Sequence, residues 1–297
     1  QPINAFILNL AVADLLEASL GYPFSSASNI RSRWSFGKLG CDFYGFICFI
    51  SNISNLCTFC AVSVYRYSVV CKTNAASRMK KPKTVLLILV GVWIYSLLWA
   101  LLPFLGWGSY SPEPFHTSCS IDWLGKSVNA QTYIWFIYIS IVVVPILVMT
   151  YSYYHVLVTV RTQVTPIAPE AVASGPPSRV AHPAHGITFE RGIDRRANKI
   201  VFVTMLLYCI AWLPYTVLSM LSNVGVHVPE MMTMIPCIFA KSQCAFNPIV
   251  YLITHRPFRS SCYHICRCRT ESSMYINDNA SQIDRNQLEL IIDETRM

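Results

Sequence analysis

Long apolar stretches punctuated by short polar ones dominate this chain. Ile3–Tyr22, Leu39–Val70, Thr84–Leu105, Tyr133–Val160, Ile200–Asn223 and Met231–Thr254 each run about 20 residues or more, enough to cross a hydrocarbon core of ~30 Å as a helix. The pattern therefore predicts six spanning helices and an all-α membrane protein. Prolines fall well inside three of the spans, at Pro145, Pro214 and Pro248. Each removes a backbone hydrogen bond and is expected to kink its helix, leaving room for a central cavity and a place to bend. The first span starts almost at residue 1, so no signal peptide is visible and the chain reads as a fragment or as lacking something upstream.

Composition supports the pattern. The 297 residues are 54% hydrophobic and only 13% charged, where a soluble domain runs near a quarter charged. Lys72, Arg78, Lys80, Lys81 and Lys83 fill the loop after the second span, Arg161, Arg191, Arg195, Arg196 and Lys199 flank the next loop on that side, and Arg256, Arg259, Arg267 and Arg269 follow the last span. By the positive-inside bias this side is cytoplasmic, the C-terminus included. The net charge of +8 then describes a surface facing membrane lipid. A nucleic-acid partner is the poorer reading, because the basic residues are dispersed over separate loops.

The loops and tail carry less pattern. Thr162–Gly192 is rich in Pro, Ala, Ser and His and reads as a flexible cytoplasmic loop. The bundle and a short amphipathic stretch extend to residue 265, and residues 266–297 form a tail expected to be disordered. Of twelve cysteines, Cys41 and Cys119 fall on the outer side, where oxidation is permitted, and are expected to pair. The run "CYHICRC" matches no common zinc-ligand spacing, and its place just past the last span favours palmitoylation over metal.

Ionisable residues inside the spans carry the candidate chemistry, since each costs roughly 2.5–3.5 kcal/mol at a helix centre. Asp14 and Glu17 lie one turn apart on one face. Asp14 is read as a hydrogen-bond hub with Asn55 and Asn247. Lys241 is the single charge between Met231 and Thr254 and sits too deep to snorkel. Two readings stay open for it: a buried ion pair with Asp14 or Glu17, and a desolvated amine able to condense with an aldehyde.

The motifs "NLAVADLL" (Asn9–Leu16), "GC" (Gly40, Cys41), "YRY" (Tyr65–Tyr67), Trp93, "AWLPY" (Ala211–Tyr215) and "NPIVY" (Asn247–Tyr251) resemble the rhodopsin-like G-protein-coupled receptors. A lysine six residues before the Asn of "NPIVY", and the outer loop "GWGSYSPEPFHTSCSIDW", resemble the opsins. With "GYPFSSAS" and "FAKS" the chain looks closest to the neuropsin and peropsin branches of non-visual opsins. The implied fold is a seven-helix receptor bundle with the family's first helix absent from this chain.

The resemblance implies roles residue by residue. Lys241 would carry retinal as a Schiff base, with Trp212, Tyr215, Tyr44 and Gly21 around it. The Cys41–Cys119 disulfide would tie the outer loop over the cavity. Arg66 would face a heterotrimeric G protein, with Tyr153 and Tyr251 swinging toward it on activation. Asn247 and Pro248 would belong to the network of Asp14 and Asn55, and Cys266 and Cys268 would be lipidated.

Two positions depart from the family. Tyr44 stands where visual opsins place a counterion Glu and cannot be an anion near neutral pH. Glu113, six residues before Cys119, matches the counterion of many other opsins, and Glu17 is its rival, titrating jointly with it. Tyr65 replaces the acid before Arg66, leaving Arg66 to reach Asp194 and the resting state less firmly held. Three functions follow: a light-activated receptor, a retinal photoisomerase with weak or absent G-protein coupling, and a transporter. The transporter lacks the internal repeats expected of it.

Overall fold

The computed structural model describes residues 2–164, 184–254, 259, 260, 262 and 263, with backbone only at 73, 74, 162–164, 184–201, 230, 251 and 254. The chain divides into two compact units, residues 1–248 and 249–297, and the architecture below is that of the first.

Among the described residues, five helical stretches are long and apolar enough to cross a membrane. The first is α1 (Pro2–Leu16), a π-helical turn (Glu17–Gly21) and α2 (Tyr22–Ile30). Then come α3 (Gly37–Cys71), the short α4 (Thr73–Met79) within the basic loop, and α5 (Pro82–Leu101) with a 3₁₀ turn to Leu105. A hairpin follows, β1 (Tyr110–Pro112) antiparallel to β2 (Cys119–Ile121). The fourth stretch is α6 (Val128–Ile137), a second π turn (Tyr138–Val143) and α7 (Val144–Val164). Helix α8 (Ala184–Asn223) contains the fifth, and its start lies inside the stretch 162–192 that the composition assigns to a loop.

The sixth expected span departs from the pattern. It is two twelve-residue helices, α9 (Glu230–Lys241) and α10 (Gln243–Thr254), separated at Ser242. The Ala245 N–H turns back to the Ser242 carbonyl at 3.0 Å, while the Lys241 carbonyl accepts from the hydroxyl of Tyr22. Pro236 and Pro248 withhold two further N–H groups from the ladder. Each helix of the pair rises about 18 Å.

The π turns of the first and fourth stretches each stand just ahead of a proline. Tyr138–Val143 ends two residues before Pro145, and the widened turn lets the proline ring clear the carbonyl of Ile141. Glu17–Gly21 stands in the same relation to Pro23, a proline the span pattern passes over. Pro214 lies within α8 without interrupting it.

Helix α3 is the axis of the first unit, packing against α1, α5, α7, α8 and both strands. Its 35 residues rise about 52 Å. Its buried face is partly polar: Asn9 donates to Thr58 Oγ1 at 2.8 Å, and Trp93 Nε1 to Asn9 Oδ1 at 2.8 Å, so α1, α3 and α5 are joined by side chains. The outer faces are apolar. On α5, Leu86, Leu87, Ile94 and Leu98 are exposed while Ser96 and Ala100 are buried. Small or polar inward and leucine outward is the arrangement a lipid solvent selects.

The hairpin rests on α3. A disulfide joins Cys41 to Cys119, Tyr110 donates to the Ala100 carbonyl at 2.8 Å, and Lys38 donates to the Tyr110 carbonyl at 2.8 Å. Gly45 makes this seating possible: a Cβ there would lie 2.5 Å from the Tyr110 ring.

Candidate functional site

Beneath the hairpin, between α3, the π turn at Tyr138–Val143, α8 and α9, lies a cavity of about 160 Å³, taken as the space a water centre can occupy. That is more than ten times what one water needs on the same measure. Its walls are mainly apolar and aromatic. Phe49, Ile53 and Leu56 come from α3, Ile137 and Ile141 from α6 and the π turn, and Trp212 and Tyr215 from α8. The spacing 208, 212, 215 puts three aromatic rings on one face of α8. Tyr208 stacks on Trp212 at 6.0 Å, and Trp212 meets Tyr215 edge-on at 6.2 Å.

Lys241 closes α9 and reaches this cavity. Its Nζ is 2.5 Å from Glu113 Oε2 and donates to Ser118 Oγ at 2.8 Å. The Ser118 hydroxyl and the Cys237 thiol, the latter at 3.3 Å, also donate to Glu113 Oε2. The Tyr44 ring lies with its centroid 5.6 Å from Nζ. Burial pushes the Glu113 carboxyl upward, but the Lys241 charge and these hydrogen bonds outweigh it and hold Glu113 below the ordinary carboxylate range. The loop acid thus meets the lysine because the β1–β2 hairpin folds inward, anchored at Cys119, one residue from Ser118.

The rival acid is placed differently. Glu17 is 2% exposed and lines the same cavity. Its Oε1 accepts from Asn52 at 3.3 Å and Tyr22 at 3.4 Å, and its Oε2 has no partner among the described residues. Asp14 is a hub, receiving Asn55 Nδ2 at 2.9 Å and Asn247 Nδ2 at 2.6 Å, one on each oxygen.

Tyr44 and Gly21 are not among the residues lining the cavity. The Tyr44 ring packs on Trp34 at 5.4 Å, and Gly21 lies against Cys48, where a Cβ would be 3.0 Å from the sulfur. Arg66 is buried, its guanidinium 5.7 Å from the centroid of the Tyr65 ring. Tyr153 is buried against Phe202 at 5.2 Å. Pro248 lies inside α10 and is exposed. The side chains of Asp194 and Tyr251, and Cys266 and Cys268 altogether, lie outside the described residues.

Four site residues were not anticipated. Cys237 and Tyr208 each precede a predicted residue by four, one helical turn on the same face, so the period alone points to them. Ser118 adjoins Cys119, but only the hairpin's inward fold brings it to the lysine. Asn52 carried no signal beyond being polar within a span.

Comparison with known proteins agrees with this geometry. Residues 1–251 match the model of the 7 transmembrane receptor (rhodopsin family). The G0-coupled rhodopsin of Mizuhopecten yessoensis is 32% identical over 89% of this chain and 64% of its own length. The visual pigment-like receptor peropsin of Homo sapiens is 30% identical over 92% of this chain and 77% of its own. The chain spans about half the length of other relatives, such as the GQ-coupled rhodopsin of Mizuhopecten yessoensis, at 54%. The crystal structure of squid rhodopsin aligns with a TM-score of 0.77 and 28% identity, over 88% of this chain and 70% of that one. With opsins as its relatives in both sequence and structure, this multi-pass membrane chain belongs to the rhodopsin family of seven-transmembrane receptors.

Proposed function

We propose that this chain is a light-sensing receptor of the non-visual opsin kind, holding retinal covalently on Lys241 through a Schiff base and signalling to a heterotrimeric G protein. One observation carries the reading: a primary amine at an apolar, aromatic-walled cavity, with a carboxylate 2.5 Å away. That donor set suits an aldehyde with a long apolar body. Bound there, retinal supplies light absorption and a change of shape.

The chain's own groups do the rest. To act as a nucleophile Lys241 Nζ gives up a proton, and Glu113 Oε2 is the acceptor within reach. When that proton returns to the nitrogen, Glu113 is again a carboxylate and faces a cation, which is the counterion role. Ser118 and Cys237 fix its orientation by donating to it. Trp212 is coupled to Tyr208 by stacking, so a push on its ring is passed along α8 near Pro214. Arg66 serves the G-protein face, on the side of the basic loops, which we assign to the cytoplasm of a plasma-membrane receptor with Cys266 and Cys268 as lipid anchors. The names of the relatives include G0- and GQ-coupled rhodopsins, which supports coupling without selecting a class.

A second reading is a retinal photoisomerase. It is favoured by Tyr65, whose ring, where the family has an acid, lies against Arg66. Reconstitution with 11-cis and all-trans retinal tests the first claim: wild type forms a pigment that borohydride traps on Lys241, and Lys241→Ala forms none. A pigment in Lys241→Ala overturns it. Nucleotide release after a flash, set beside chromatography of the retinal isomer, separates receptor from photoisomerase.

A further inference from the structure

Glu17 takes part in neither the Lys241–Glu113 pair nor the Asp14 hub, yet it lies on the cavity wall at 2% exposure. Its two neighbours serve it weakly: the single Tyr22 hydroxyl hydrogen goes to the Lys241 carbonyl, and one of the two Asn52 N–H groups goes to Cys48. Asn52 Nδ2 bonds the Cys48 carbonyl at 2.7 Å and reaches Glu17 at only 3.3 Å. Tyr22 bonds the Lys241 carbonyl and reaches Glu17 at 3.4 Å. The second carboxyl oxygen has no partner among the described residues.

The titratable groups around it are Asp14 from α1, Tyr22 from α2, Cys48 from α3, Tyr208 from α8, Lys241 from α9 and Cys244 from α10. Lys241 is the cation in that set, and its ammonium is already bonded to Glu113 and Ser118. An ionised carboxylate in such a place would lose its hydration without gaining a full partner. Lys241 and Glu113 already form a neutral pair, so one proton is what leaves Glu17 uncharged beside it.

We propose that Glu17 is the second acid of the Lys241 site: a neutral carboxylic acid at rest that becomes the anion facing the Lys241 nitrogen when Glu113 is neutralised. The exchange moves a single proton from Glu17 Oε2 to the Glu113 carboxylate and leaves the net charge of the site unchanged. The resting half stands on the retinal-free protein. The exchange half rests on the proposed function above.

Infrared spectroscopy of the retinal-free protein reads the first half. A carboxylic-acid carbonyl band, shifted in deuterium oxide, is expected in wild type, displaced in Glu17→Asp and lost in Glu17→Gln. A spectrum unchanged by either substitution overturns the proposal. Absorbance of the retinal-loaded protein reads the second half. Glu113→Gln is expected to keep a visible band, and Glu113→Gln with Glu17→Gln to move it to the near ultraviolet. Loss of the visible band in Glu113→Gln alone overturns the exchange. Should Lys241→Ala still form pigment, the retinal assignment fails while the infrared result decides the resting state by itself.

Discussion

The Lys241 end of the cavity and the Asp14 hub both bury a carboxylate within the bundle, and they stabilise it by opposite means. Glu113 receives a full cation at 2.5 Å, whereas Asp14 receives two neutral amides, one on each oxygen. The cation pair is strong but conditional, because anything that alters the charge on Nζ or on the carboxyl alters the whole arrangement. The amide hub contains no cation and ties α1, α3 and α10 together through neutral donors. The contrast separates a switchable contact from a fixed one within a single core.

The largest expected effect tests how Glu113 is delivered to its partner. Cys41→Ser removes the disulfide that seats the hairpin on α3 and is expected to cost about 2–5 kcal/mol. Thermal melting of the detergent-solubilised protein reads the loss, and an unchanged Tm would mean that Tyr110 and Lys38 seat the hairpin unaided. Asp14→Ala strands two buried amides and should cost about 1–3 kcal/mol. Asp14→Asn, which still offers one acceptor, should cost less, and equal losses would argue against a hydrogen-bond hub.

A smaller effect distinguishes the two sites by pH. Glu113 titrates below its ordinary value of 4.5 in the folded chain, so its contribution is fully present above the unfolded value and is lost as pH falls through the lower folded one. Glu113→Gln should therefore flatten the acid limb of Tm against pH and leave the Asp14 hub intact. An acid limb identical to wild type would remove Glu113 from the account. The smallest effect concerns the lysine's backbone. Tyr22→Phe deletes the bond to the Lys241 carbonyl and should cost about 1 kcal/mol, with the absorbance maximum of the loaded protein as a more sensitive reading.

What was legible in the sequence follows from which interactions are local. Apolar length announced the membrane spans, and the lone lysine among apolar residues announced the site. The Asn partners of Asp14 were readable because few polar side chains occupy the spans. The break at Ser242 was not, because the hydroxyl that meets the Lys241 carbonyl there comes from Tyr22, 219 positions away in the chain. The places of Ser118, Asn52 and Glu17 depend on how the hairpin and the first π turn pack, and no periodicity encodes that. Tyr44 packs on Trp34 with its ring centroid 5.6 Å from the Lys241 nitrogen, a pairing that no periodicity encodes either.

The interruption after Lys241 has a mechanical corollary. A residue in mid-helix is clamped by hydrogen bonds on both sides, so turning its backbone means unzipping a turn. Lys241 instead closes one helix, with a second beginning beyond Ser242, and its carbonyl accepts the Tyr22 hydroxyl while the Ala245 N–H goes to Ser242. Losing that phenol would loosen the lysine on its carbonyl side alone, the Ser242 N–H keeping its grip on the Ile238 carbonyl at 2.9 Å.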